Sequence, residues 1–192
     1  MLLGLVGSEM CIRDSLRTVE QHMKEKKAQT AGLARLQKWC GVRDRTEREV
    51  REKMREVLAK MATPPSTSRA EAWSEDWMTA LREDHYVDDA RCAESYTRVH
   101  HEHKSWGPLK IKAGLASRGV GGKEADRAIQ AIPEDQWQAS ANRLLARRED
   151  ELEANQNRVI RWLMQRGFPQ RMVWTALDHV TKTARREAGG DS

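Results

Sequence analysis

Arg118 and Arg166 occupy the same slot in two copies of one pattern, each directly before a glycine. The first copy reads Ile111-x3-Leu115-x3-Gly119-Val120. The second reads Val159-x3-Leu163-x3-Gly167-Phe168, 48 residues further on. Lys110 and Lys112 lie in the first copy's segment, Arg158 and Arg161 in the second's, with Lys104, Arg147 and Arg148 a little upstream. Guanidinium and ammonium groups gathered at helix ends suit an anionic partner, either nucleic-acid phosphate or an acidic protein groove. Trp106 stands among these cations. Its ring is available for partner contact or base stacking, or for packing against a neighbouring unit. The basic excess is placed rather than spread. The formal net charge is only +5, yet residues 91–123 and 136–186 each carry +5, and an acidic stretch separates them. Residues 16–90 are nearly balanced. The bland alternative is ordinary surface charge with the usual preference of cations for helix C-termini.

Other chemistry is weak. Gly121-Gly122-Lys123-Glu124 superficially resembles a phosphate loop, but Ser117 stands where its first glycine belongs and Glu124 where Ser or Thr belongs. It also follows a helix rather than a strand. His100 and His103 share a helical face without an obvious third metal ligand. Glu149, Asp150, Glu151 and Glu153 read as a solvated helix end. Cys11, Cys40 and Cys92 are odd in number and form no CxxC pair, which fits a reducing cytoplasm. No apolar run reaches the ~18 residues that a membrane span needs. The reading is therefore of a non-enzymatic chain with no metal site and no cofactor.

The elements that must position the cations are helices. The apolar spacing follows a period near four, and no stretch alternates with period two. Thr46-Glu47-Arg48-Glu49 reads as a capping box before a helix to Met61. Thr63-Pro64-Pro65-Ser66-Thr67-Ser68 breaks the pattern. An Asp in Tyr86-Val87-Asp88-Asp89 can cap the next helix. Pro108 can open another, and Gly119 can close it in a left-handed cap. The remaining helices are expected at about 28–41, 74–83, 89–103, 123–131, 134–151, 156–166 and 169–183. The expected fold is all-α: three tandem three-helix repeats stacked in an elongated array. The expected units are 28–88, with a loop insertion at 62–72, then 89–132 and 133–186. Each is too small to be comfortable alone, so neighbours should pack together.

A polar arm is expected at 16–27 and a disordered tail at 187–192. Residues 1–15 are set apart, because Val6 to Asp14 resembles translated sequencing-adapter DNA. They are expected to be non-native, and the natural N-terminus to lie elsewhere.

Taken in order, Tyr86-Val87-Asp88-Asp89-x-Arg91-x-Ala93, Arg98 and Trp106-Gly107-Pro108-x-Lys110-Ile111-x3-Leu115-x3-Gly119 resemble the RecX family of recombination regulators. Arg161-x-Leu163-x2-Arg166-Gly167-Phe168 adds to the resemblance, which runs from about residue 36 to 180. Cys92 replaces an expected aromatic and Leu58 an expected glycine. The resemblance implies tandem three-helix units and a non-catalytic, cytoplasmic regulator of homologous recombination, DNA repair and the SOS response. Such a protein binds the RecA–DNA filament in its groove and restrains RecA ATPase and strand exchange. The resemblance lends a surface rather than a catalytic site. The sequence supplies its candidates: Lys104, Trp106, Lys110, Lys112, Arg118, Arg147, Arg148, Arg158, Arg161 and Arg166. A monomer is expected, with contact to single- or double-stranded DNA within its reach and no membrane association. The alternative is a helical repeat module that binds DNA independently of RecA.

Overall fold

The computed structural model describes the backbone of residues 7–189 and the side chains of residues 17–183. The expectations for residues 1–6 and 190–192 lie outside these, and the tail expected to be disordered from 187 is helical as far as Gly189. Among the described residues there are helices and no strand. One isolated parallel bridge joins Arg45 and Val87. Two compact units divide the chain: residues 1–45 with 49–87, and residues 46–48 with 88–192.

The first unit contains α1 (Gly7–Cys40), α2 (Glu47–Ala59) and α3 (Thr67–Glu83). Its core is Leu36, Cys40, Val50, Met54, Val57, Trp77, Met78 and Leu81, spaced three and four apart on each helix. Trp77 lies against Gly32 on α1, where a Cβ would come within 2.5 Å of its ring, and its indole N–H donates to the Gln29 carbonyl at 3.0 Å. Two expectations change here. The polar stretch at 16–27 is not separate from the first helix, because α1 runs through it without a break. α3 begins at Thr67 rather than near residue 74. Of the expected insertion only residues 62–66 stay outside it, since nothing in Thr67-Ser68-Arg69-Ala70 opposes helix once the chain is past the prolines.

The second unit contains α4 (Asp89–Glu102), α5 (Pro108–Ser117), α6 (Gly122–Gln130), α7 (Glu134–Ala146), α8 (Glu149–Ala154), α9 (Gln156–Gln165) and α10 (Gln170–Gly189). Asp88 caps α4, its carboxylate accepting from the Arg91 N–H at 2.9 Å. Pro108 sits in the first turn of α5. The expected helix at 134–151 is broken at Arg147 and Arg148. Arg148 leaves helical space at φ −128°, ψ 31°, and a short acidic helix, α8, follows. The last repeat thus carries four helices. Ile111, Leu115, Val120, Trp137, Ala141, Leu145, Val159, Leu163, Phe168 and Val173 form one continuous core in this unit.

The 48-residue pattern is a helix-closing motif used twice. Gly119 has φ +86° and Gly167 φ +90°, a region that L side chains disfavour. The Val120 N–H reaches back to the Leu115 carbonyl and the Gly119 N–H to Ala116. Phe168 reaches Leu163 and Gly167 reaches Met164 in the same way. This is the Schellman arrangement, with an apolar pair across the turn: Val120 with Leu115, and Phe168 with Leu163.

Candidate partner-binding surface

The turn ahead of α5 and the turn after α9 interlock. The Gly107 N–H donates to the Arg166 carbonyl at 2.7 Å, and the Leu109 N–H to the Gly167 carbonyl at 3.0 Å. Donors left over at one helix start thus meet acceptors left over at another helix end. The approach tolerates no extra carbon. A Cβ on Gly107 would lie 2.4 Å from the Gly167 carbonyl carbon, and one on Gly167 would lie 2.3 Å from the Lys110 nitrogen. The Gly119 turn is filled in a related way by residues 46–48. The Thr46 hydroxyl donates to the Arg118 carbonyl at 2.7 Å, and the Arg48 guanidinium donates to the Ser117 carbonyl. Thr46 was expected as a helix cap; the bond seen for its hydroxyl is instead this one to Arg118, within the second unit.

This interlock gathers part of the expected cation set. Lys104 and Lys110 hold their ammonium groups 5.5 and 4.7 Å from the Trp106 ring centre. Arg148 and Arg166 flank Trp162 at 4.0 and 4.9 Å. Arg166 ties the two clusters, donating through Nη1 to the Lys104 carbonyl at 2.6 Å. Arg158 lies one turn before Trp162 on α9, as Arg166 lies one turn after, so the three share a face. The result is a ridge of cations and indoles, with Arg158, Arg166 and Arg148 about Trp162 and Lys104 and Lys110 about Trp106. Each of the four cation–indole contacts, Arg148 and Arg166 on Trp162 and Lys104 and Lys110 on Trp106, contributes about 0.5–1 kcal/mol where water reaches it.

The other candidates stand apart. Lys112 is ion-paired with Asp126. The Arg118 guanidinium lies 5.3 Å from the Tyr96 ring, and its carbonyl is taken by Thr46. Arg147 and Arg161 are exposed at the end of α7 and on α9. Trp162 and Tyr96 were missed as members of the surface. Trp106 is the one tryptophan that the sequence marked for this surface, yet Trp162 is also only half-buried and Trp174 is 49% exposed. The available signal was Trp162 one helical turn ahead of Arg166.

His100 and His101 are packing groups, while His103 is exposed. His100 stacks on Tyr96 with ring centres 3.7 Å apart, and lies 4.5 Å from Trp106. Its Nδ1 N–H donates to the Tyr96 carbonyl at 2.8 Å. His101 meets the Ser140 hydroxyl at 3.0 Å and packs on Trp137. Among the described residues no group of three or more His, Cys, Asp or Glu is placed to hold a metal ion. Burial pulls both imidazoles below their ordinary range, with Lys104 and Arg118 adding to the effect at His100, and Arg143 at His101. Both therefore favour the neutral ring when folded. Below the unfolded pKa of about 6.5 the unfolded chain takes up more protons, so stability falls on acidification. The thermal midpoint is expected to drop between pH 7.5 and 5.5. Replacing both residues (His100→Gln with His101→Gln) should flatten that slope; an unchanged slope would remove these two groups from the account.

Comparison with known proteins places these turns in a family context. A family model described as RecX, second three-helix domain, matches residues 88–129, which span α4 to α6. Regulatory protein RecX of Cronobacter sakazakii (strain ATCC BAA-894) is 31% identical over 116 residues, covering 57% of this chain and 65% of that protein. Regulatory protein RecX of Geobacillus kaustophilus (strain HTA426) is 31% identical over 113 residues, covering 56% of this chain and 42% of that protein. The chain thus spans less than two thirds of the length of these relatives. The crystal structure of RecX from Lactobacillus salivarius shares the fold, with a TM-score of 0.71 at 18% identity, over 81% of this chain and 98% of that one. Among the described residues no helix is long and apolar enough to cross a membrane.

Proposed function

We propose that the chain is a member of the RecX family, which it resembles over α4 to α6 and in its relatives, and that it is a non-catalytic regulator that lies in the groove of the RecA–DNA filament and restrains ATP hydrolysis and strand exchange. The relatives are named regulatory proteins. The observation that carries the reading is the cation–indole ridge crossing two repeats, held by an interlock of backbone on backbone. Rigid backing fixes the spacing of the charges, so an acidic groove or a phosphate backbone meets them without a large ordering cost. The filament state that presents the matching anions is favoured, and hydrolysis falls because protomers are held or their addition is blocked.

RecA ATPase on single-stranded DNA tests this directly. Titrating in the full chain is expected to lower hydrolysis and shorten or stiffen the filaments. Unchanged hydrolysis and filament length at excess protein would reject the assignment. Indoles beside Arg and Lys also form stacking platforms for single strands, which favours the RecA-independent DNA module as the second reading. In that case the chain binds DNA well without RecA, and affinity falls steeply as salt rises.

A further inference from the structure

Two helix-closing turns in the second unit are filled by residues that open another helix: Gly119 by residues 46–48 and Gly167 by Gly107–Lys110. Filling buries the residue just ahead of each opened helix, Thr46 and Gly107. The third such opening stands at the start of α9. There residues 153–158 are all exposed, and the connection before them is enlarged by α8. At the other end of the pattern, the turn after α2 borders a cleft of about 940 Å³ within the first unit. Residues 60–66 form one wall, and α1 and α3 form the others.

The charges of the two vacant ends are opposite. The cleft is lined by Arg17, Lys24, Arg35, Lys60 and Arg69 against two carboxylates, Glu20 and Glu25. Among the described residues only Arg69 of these cations is ion-paired, with Glu25. Its floor includes apolar atoms of Ala28, Ala31, Val57, Met61 and Trp73. The α8 edge carries Glu149, Asp150, Glu151 and Glu153, of which, among the described residues, only Glu151 has an ion-pair partner, Arg148. Leu152, half-buried between the acids, supplies an apolar centre.

We propose that the acidic α8–α9 edge of one copy docks into the basic first-unit cleft of a second copy, continuing between molecules the turn-filling used within one. The contact joins different surfaces on the two copies, so it is heterologous and leaves a free end to propagate. A chain of copies could then extend along a polymer. The proposal replaces the monomer expected from sequence and does not rest on RecA as the partner. The attraction is electrostatic at the rim and should weaken as the screening length shrinks from about 10 Å at 0.1 M salt to about 3 Å at 1 M.

Sedimentation velocity on the full chain, over a concentration series at low and high salt, tests it. At low salt the weight-average mass is expected to rise with concentration to at least twice that of one chain, and at high salt to fall back. Two charge-swapped variants carry the specificity: Glu149→Lys with Asp150→Lys and Glu153→Lys on the edge, and Arg35→Glu with Lys60→Glu in the cleft. Each alone should lose self-association while keeping the parent's helical circular dichroism. An equal mixture should recover it, because each variant's altered end matches the other's. A parent that stays at one chain's mass at low salt overturns the proposal. So does association that survives in both variants, or a mixture that fails to associate.

Discussion

Gly167→Ala is expected to cost about 2–5 kcal/mol and to lower the thermal midpoint by more than any surface substitution in the chain. A β-carbon there meets two separate penalties. The backbone sits at φ +90°, where an L side chain costs roughly 1–2 kcal/mol. The added atom also lands 2.3 Å from the Lys110 nitrogen. That neighbour is backbone in the first turn of α5 and cannot rotate aside as a side chain would. Forcing the turns apart stretches the Gly107–Arg166 and Leu109–Gly167 hydrogen bonds, an overpacking cost of about 1–3 kcal/mol. Gly107→Ala should behave similarly, through crowding alone. Gly121→Ala is the control: φ is −132° and nothing lies within 4 Å of the new carbon, so a change within about 0.5 kcal/mol is expected. Thermal melts of the three variants decide the matter. If Gly167→Ala melts with Gly121→Ala, the interlock does not hold the repeats together.

Much of the fold is legible because local signals agreed. Asp88, Pro108, Gly119 and Gly167 each have one strongly preferred place at a helix end, and the structure puts them there. Pro64-Pro65 was read too broadly, since proline stops the helix before it but leaves the residues after it free. The break at Arg147-Arg148 left no such mark: Arg and Glu are good helix formers, so propensity ran the helix on to Glu151. The fourth helix followed from that miss. The candidate surface was legible in its charges and obscure in its geometry. Spacing put Arg118 and Arg166 in one slot, but could not tell that the backbone carbonyl of each is the acceptor for a different segment. Trp162 was hidden because helical periodicity cannot separate a half-buried rim position from the core beside it.

That double use of Arg166 decides which cations can test the proposed filament contact. Reversing Arg158 and Arg161 together to Glu is expected to weaken inhibition of RecA ATPase about 30-fold. Each reversal removes an attraction and adds a like-charge repulsion, near 1 kcal/mol apiece, and 1.4 kcal/mol is a factor of ten. Both side chains are exposed, and the bonds seen here are local to α9 and its N-cap: Asn155 Oδ1 accepts from the Arg158 backbone N–H, and the Asn157 carbonyl accepts from Arg161 Nε. Stability should hold. A carboxylate at position 158, in the first turn of α9, even gains a few tenths of a kcal/mol from the helix dipole. Arg166→Glu differs in kind. It deletes the bond to the Lys104 carbonyl and the cation over Trp162, and sets a negative charge at a helix C-terminus. About 1–3 kcal/mol of stability should go with it, so weaker inhibition by that variant would say little about contact. The informative result is a normal melt beside a shifted inhibition curve for the Arg158/Arg161 pair. Full inhibition by that pair would place the partner on another face and leave the Trp106–Trp162 ridge a device for stacking repeats alone.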